Sequence, residues 1–267
     1  MDRLDELEAQ AIYIIREAYK KFGKLAILWS MGKDSTVLIW LVKKAFFGHV
    51  PFPVAHIDTT FKFPEMYDFR DRLAREWGLD LMVHVNQDAL DRGINYENSD
   101  ITTIVHELKT VGLHQFVEKH GFEGLFVAIR SDEEGSRSKE RFFSKRGTDF
   151  SWEYTEQPPE LWGQYNTEFR KGEHIRVHPL LHWTELDIWE YIRRENIPCI
   201  PLYFAKNGER YRSVGDVQIT FPIKSDADTL DKIIEELKVT KIAEREGRGQ
   251  DKESRYALQD LRKQGHM

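Results

Sequence analysis

Leu25-Ala26-Ile27-Leu28-Trp29-Ser30-Met31-Gly32-Lys33-Asp34-Ser35-Thr36 is the stretch that decides the fold. Its first five residues form a continuous apolar run, the pattern of a strand buried on both faces. From Thr36 to Ala45 a second helical stretch follows. A strand–loop–helix junction of this kind aims backbone amides at whatever sits above the helix N-terminus, and the helix dipole favours an anion there. Gly32 lets the chain pass close to a phosphate, Lys33 adds a point charge, and the hydroxyls of Ser30 and Ser35 add short donors. An ordinary strand–turn–helix with a helix cap is the plain alternative, and Gly-Lys-Asp-Ser in this position disfavours it. The common mononucleotide loop is excluded. It needs Gly five residues before the Gly-Lys pair and Ser or Thr after the Lys, where this chain has Ile27 and Asp34.

Outward from this junction the pattern repeats. Pro53–Ile57, Asp80–Val85 and Leu125–Ile129 read as further buried strands, with a charged helix near 64–77. Upstream, Leu4, Leu7, Ala11, Ile14, Ile15 and Ala18 stand at helical spacing, and Gly23 ends that helix. Strands alternating with helices predict βαβ units on a parallel sheet, an α/β fold. After about residue 130 the texture changes. A charged segment runs from Arg130 to Arg146, and a Trp- and Pro-containing stretch occupies 151–163. A helix is expected at 184–196, capped by Thr184, and another at 229–238. The tail from 241 carries both charges and is expected to end in a helix.

Composition narrows the function. The chain has 267 residues, long for one domain and short for two, and its net charge of −6 argues against a nucleic-acid binder. No apolar stretch approaches the ~20 residues of a membrane span, and Asp2, Arg3, Asp5 and Glu6 are unlike a targeting peptide. A soluble cytoplasmic protein is expected. Cys199 is the only cysteine, which excludes an internal disulfide framework and a cysteine-ligated cluster within one chain. It is read as a small buried hydrophobe. His174, His178 and His182 invite a metal reading, but Pro179 forbids one helical face through all three. They are read as structural, and no metal-ligating side chain is assigned.

Ser30-Met31-Gly32-Lys33-Asp34-Ser35 resembles the pyrophosphate-binding loop of the ATP pyrophosphatase superfamily, whose usual form has Gly where Met31 stands. Pro51–Thr59 with Phe61-Lys62-Phe63 and Glu65-Met66-Tyr67 is similar to the second-strand signature of sulfate adenylyltransferase small subunits. Arg130-Ser131-Asp132-Glu133-Glu134-Gly135-Ser136-Arg137-Ser138-Lys139-Glu140-Arg141 is similar to their basic loop. Arg176-Val177-His178-Pro179-Leu180, Trp183-Thr184-Glu185 and Asp187-Ile188-Trp189 resemble a segment shared with adenylyl-sulfate and phosphoadenylyl-sulfate reductases. The likeness covers nearly the whole chain. One departure is Gly215-Asp216, where that family tends to have Gly-Cys.

The resemblance implies an adenine-nucleotide alpha hydrolase-like domain over 1–203. A smaller, mostly helical and irregular extension over 204–267 is expected to contact a partner or a second copy. It implies ATP with Mg2+, sulfate as acceptor, and a GTPase large subunit as partner, with a homo-oligomer a further expectation. Ser30, Gly32, Lys33, Asp34 and Ser35 would hold the phosphates. Asp58 and Thr59, at the end of a strand, would contact adenosine or metal, the alternative being a strand-end turn with an Asx cap. Lys33, Arg130, Arg137 and Arg141 would stabilise charge around the α-phosphate and the oxyanion, since Arg offers planar bidentate recognition. The plain reading of that segment is a solvated, self-paired loop. Three other functions compete with adenylyl transfer to sulfate: reduction of an activated sulfate, a thiolation-type ATP pyrophosphatase, and a non-catalytic nucleotide-binding module. The first two meet the single cysteine as an obstacle.

Overall fold

The computed structural model describes residues 2–241, 244 and 263–265. The helix expected at the end of the tail lies largely outside them. Helix α1 (Arg3–Lys21) starts at a reciprocal cap, with the Asp2 carboxylate accepting from the Asp5 amide at 2.8 Å and the Asp5 carboxylate accepting from the Asp2 amide at 3.1 Å. Its buried stripe of Leu7, Ala11, Ile14, Ile15 and Ala18 packs against α2 (Lys33–Ala45).

Six strands form the central sheet: β1 (Leu25–Leu28), β2 (Val54–Ile57), β3 (Leu81–His84), β4 (Gly124–Phe126), β5 (Phe143–Arg146) and β6 (His174–Val177). Their order is β3-β2-β1-β4-β6-β5, parallel throughout except for the antiparallel edge strand β5. Helix α3 (Pro64–Trp77) links β2 to β3. The link from β3 to β4 holds α4 (Gln87–Asp91), α5 (Ile101–Ile104), a π-helical segment (Val105–Val111) and α6 (Gly112–His120). Helix α7 (Glu185–Glu195) follows β6.

Successive side chains of a strand point to opposite faces. Leu25, Ile27, Val54, Phe126, Ile175 and Val177 therefore join the cluster formed with α1, α2 and α7. Ala26, Leu28, Ala55, Ile57, Leu125 and Val127 meet Leu113, Phe116 and Val117 of α6 on the other side. With both faces covered, no position on β1 or β2 is left for water, hence runs that are apolar but for the buried His56.

Strands expected at 25–29, 53–57, 80–85 and 125–129 are all present. β5 and β6 were not expected. β5 lies at the end of the segment read as a charged loop, and β6 alternates Ile175 and Val177 with His174 and Arg176, all buried. The polar pair faces inward, so alternation there does not signal a solvated face.

The Thr184 cap is as expected. The Asp187 amide donates to its hydroxyl at 3.2 Å, and Asp187 accepts from the Thr184 amide at 2.8 Å. Arg3 grips the same carboxylate at 2.7 and 2.8 Å, tying α1 to α7. Beyond residue 204, a small antiparallel pair, β7 (Glu209–Arg210) and β8 (Ile223–Lys224), leads to α8 (Leu230–Val239). Helix α8 packs on α7 and sends Ile233 and Ile234 into the main core. No helix among the described residues is long and apolar enough to cross a membrane.

From β1 the chain builds outward to β2 and β3, then resumes at β4 on the other side of β1. In open α/β sheets the crevice at such a reversal, outside the carboxyl ends of the strands, is where ligands bind. Here it opens between the ends of β1 and β4.

Candidate active site

The loop after β1 enters this crevice. Met31 takes a left-handed φ of 61°, which turns the chain so that Gly32 can cap α2. A Cβ on Gly32 would stand 3.3 Å from Ser30 Oγ and 3.5 Å from the Tyr203 hydroxyl, so the approach is close. Thr36 Oγ1 donates to the Gly32 carbonyl at 2.9 Å, and Ser35 Oγ donates to the same carbonyl at 3.1 Å. Trp29 Nε1 in turn donates to Thr36 Oγ1 at 3.2 Å, and the Ser30 and Ser35 hydroxyls are 3.1 Å apart. These bonds fix the loop before any ligand arrives, which lowers the cost of binding one.

A pocket opens above the loop. Its walls include Ser30, Gly32, Lys33, Asp34 and Ser35, with Ala55, His56, Ile57 and Thr59 at the end of β2, and Val127, Ala128 and Ile129 after β4. Lys109 of the π-helical segment and residues 213–216 complete it. Apolar and charged side chains are therefore both offered to one ligand.

The charges are heavily paired. Lys33 is 2 % exposed, and its ammonium donates to Asp34 at 3.2 Å and to Glu244. Arg130 is fully buried and donates to Asp34, to Glu244, and to Asp132 at 3.0 Å. Burial would lower the Lys33 ammonium, but Asp34 and Glu244 raise it above its ordinary value. Burial would raise the Glu244 carboxyl, yet Arg130 and Lys33 hold it well below the carboxylate range. Glu244 thus puts an anion between Lys33 of the loop and Arg130, which follows β4. Asp132 also accepts from the Glu185 amide at the start of α7, and Glu185 holds Arg212 at 2.7 Å.

Seven of the residues expected at the site line this pocket: Ser30, Gly32, Lys33, Asp34, Ser35, Thr59 and Arg137. Arg130 reaches the loop through Asp34. Asp58 turns away. Its carboxylate accepts from the Thr60 amide at 2.8 Å and the Tyr67 hydroxyl at 2.9 Å, a strand-end Asx turn. Arg141 is also elsewhere. It leads into β5, which β6 separates from β4, and its carbonyl accepts from His178 Nδ1 at 2.7 Å. The short 3-10 turn at Arg137–Lys139 redirects the chain to the sheet edge before Arg141 can face the crevice. Arg137 itself pairs with Glu133, so part of the basic loop is self-paired as the plain reading holds.

Sequence reasoning missed four residues. Tyr203 accepts from the Lys33 amide at 3.0 Å. His56, 1 % exposed, binds the Trp29 carbonyl through Nδ1 at 3.0 Å, and burial first and then Lys62 lower its pKa to about 4, so the ring is neutral. Asp216 and Glu244 are the others. All but His56 lie far along the chain from the loop, and no local pattern signals such contacts. Among the described residues no three His, Cys, Asp or Glu side chains gather to hold a metal ion. His174 and His178 are buried and His182 packs on Phe142, consistent with structural roles. Cys199 packs against the main core, and burial pushes its thiol up to about 12.

Residues 24–222 match the family model described as the phosphoadenosine phosphosulfate reductase domain. The chain is 42 % identical to sulfate adenylyltransferase subunit 2 of Pseudomonas fluorescens (strain SBW25) over 301 aligned positions, covering 100 % of this chain and 99 % of that protein. The protein of the same name from Pseudomonas aeruginosa (strain LESB58) is equally similar, at 42 % with the same coverage. Among solved structures, a phosphoadenylyl-sulfate reductase from Candida auris superposes with a TM-score of 0.55 at 16 % identity, over 82 % of this chain and 98 % of that one. An FMN adenylyltransferase from Candida glabrata, in complex with ATP, reaches 0.55 at 17 %, over 82 % and 63 %. Those two likenesses concern the fold. The chain belongs to the phosphoadenosine phosphosulfate reductase domain family and, within it, to the sulfate adenylyltransferase subunit 2 family.

Proposed function

We propose that this chain transfers the adenylyl group of Mg-ATP to sulfate, giving adenylyl sulfate and pyrophosphate. The observation that carries the reading is the cation pair Lys33 and Arg130 at the N-terminus of α2, already bridged by a carboxylate, at the sheet's reversal point. A sulfate oxygen attacks the α-phosphorus, the bond to the α–β bridging oxygen breaks, and pyrophosphate leaves with that electron pair. Sulfate is a poor nucleophile with no proton to remove. Catalysis therefore rests on positioning and on charge stabilisation, not on acid–base chemistry.

In this reading the helix start, Lys33 and the hydroxyls of Ser30 and Ser35 take the β- and γ-phosphates as charge builds on the leaving group. Phosphate oxygens replace the Glu244 carboxylate on Lys33 and Arg130. Arg137 stands on the same wall and serves the α-phosphate and the incoming oxyanion. Mg2+ would offset part of the phosphate charge, and no side chain of this chain is assigned to hold it. Thr59 and the apolar ends of β2 and β4 receive the adenosine. The relatives' designation as subunit 2 supports a partner subunit. We assign that role to a GTPase that drives formation of the high-energy anhydride, and the extension from residue 204 to the contact. Reductase chemistry has no support, since the sole thiol is protonated at neutral pH and outside the pocket lining.

Exchange of labelled pyrophosphate into ATP tests the reading. Exchange that requires sulfate and disappears in Lys33→Ala is expected. Exchange that proceeds equally without sulfate would assign the pocket to another acceptor. Cys199→Ser should keep its turnover, and collapse of turnover in a folded Cys199→Ser protein would return the thiol chemistries.

A further inference from the structure

Asp216 is buried, 5 % exposed, in the segment that closes the pocket. Its Oδ1 accepts from Thr59 Oγ1 at 2.7 Å and from the Lys62 ammonium, and its Oδ2 accepts from the Tyr96 hydroxyl at 2.8 Å. The backbone follows the same seam. Lys62 and Asp216 form a bridge, and the Val217 amide donates to the Phe61 carbonyl at 2.9 Å. Apolar contacts add to it: Ile219 packs with Val105 of the π-helical segment and with Tyr96, whose ring meets Phe61 edge-on at 5.1 Å. Thr59, Lys62 and Asp216 all line the pocket, so this joint is part of its wall.

We infer that Asp216 is a positioning residue for the nucleotide, clamping Thr59 and Lys62 at the end of β2 to the C-terminal wall 213–219. The inference rests on the reading of this pocket as the adenine-nucleotide site. Three donors converge on one carboxylate, and two of them, Thr59 and Lys62, face the ligand space. The carboxylate fixes where that hydroxyl and that ammonium stand. Without it Lys62, whose side chain is 10 % exposed, loses the counter-ion that holds it against the wall. Removing one partner of a buried pair leaves an uncompensated charge, which moves to find another. Burial would raise the Asp216 carboxyl, but Lys62 and the bonds from Lys62, Thr59 and Tyr96 keep it well below the ordinary range. The Asp216 carboxylate is therefore ionised at neutral pH. Asp216 acts through these neighbours on binding, with no role in the bond changes at the α-phosphorus.

Asp216→Asn keeps the shape and removes the charge. Calorimetry with a non-hydrolysable ATP analogue should show affinity weakened about tenfold, the scale of a charged hydrogen bond. KM for ATP should rise in step while kcat stays within about twofold of wild type, as expected when an interaction equal in ground and transition states is lost. Lys62→Met should weaken binding alone but add little on top of Asp216→Asn, because the two act as one unit. Thr59→Val, which cannot misfold through a charge imbalance, should give the same split at smaller size. Unchanged analogue affinity with a lowered melting temperature would make Asp216 a purely structural pin and overturn the inference, as would a fall in kcat at constant KM. Affinity is read without turnover. A wild-type protein that binds the analogue but lacks sulfate-dependent exchange would sink the adenylyl-transfer reading and not the clamp.

Discussion

Met31 sits at φ 61°, where a side-chain-bearing residue is disfavoured by about 1–2 kcal/mol. A Gly there would adopt this conformation free of that cost. Met31 is nevertheless 1 % exposed and part of the main core cluster. Truncating a buried side chain of this size costs about 2–5 kcal/mol, more than the strain relieved. Met31→Gly is therefore expected to destabilise the protein by about 1–3 kcal/mol in urea unfolding, and a gain in stability would mean that the strain dominates. Lys33 and Glu244 give a second comparison. Lys33→Ala should weaken ATP binding by about 1–3 kcal/mol. On the proposed reading Glu244 would compete with the phosphates for Lys33 and Arg130, so Glu244→Gln should tighten binding, by about 1 kcal/mol for one charged contact removed. Weaker binding in that variant would put Glu244 among the groups that favour the nucleotide.

At the scale of elements, the π-helical segment supplies Val105 and Lys109 to the pocket wall and is tied to its neighbours by Asn86. A π-helix is a strained variant often kept where function needs it. Asn86, 2 % exposed, donates from Nδ2 to the Glu107 carbonyl at 2.7 Å, caps α4 through the Ala89 amide at 3.3 Å, and accepts from Gln115 of α6 at 3.1 Å. Asn86→Ala strands those groups and is expected to cost about 1–3 kcal/mol. Amides of 101–112 should lose hydrogen-exchange protection ahead of the sheet, and uniform loss across the chain would show no local role for Asn86. The same scale shows what could be read from the chain in advance. β1, β2 and β4 were legible because they are buried on both faces and almost wholly apolar, and β3, an edge strand with Val83 exposed, was legible from its apolar run Leu81–Val83 alone. β6 was not, because Arg176 and His174 are buried polar residues that mimic a solvated face. The pocket-lining loop from Ser30 to Ser35 was legible because its residues are contiguous in the chain. Tyr203, Asp216 and Glu244 reach the site through tertiary contact alone, and Arg141 misses it because the chain turns at 137–139.

Taken whole, the molecule buries neutral histidines on both sides of its sheet. His56, His174 and His178 are each 1 % exposed. Burial lowers His56 and His178 to about 4 and His174 well below its ordinary value, with nearby Lys62, Arg176 or Arg146 acting in the same direction. An unfolded imidazole takes up its proton near pH 6.5, and these three in the fold do not. The unfolded chain therefore binds more protons as pH falls, and stability drops between about pH 6.5 and pH 4. Asp34, Glu160 and Glu185, raised by burial, oppose this slope, while Glu140, lowered on balance by Arg146, adds to it only at the acid end. His114, lowered to about 4 chiefly by burial, adds to the imidazole side. Urea midpoints should correspond to a loss on the order of 3 kcal/mol from pH 7 to pH 5.5, a large share of the ~5–15 kcal/mol that holds a typical domain together. His174 identifies the source. Both of its ring nitrogens lack a hydrogen-bond partner, and the ring lies 4.9 Å from that of Phe150. His174→Phe keeps a ring in place, removes the titration and breaks no hydrogen bond, so the slope between pH 7 and 5.5 should flatten measurably. A slope identical to wild type would assign the acid lability to groups other than this buried imidazole.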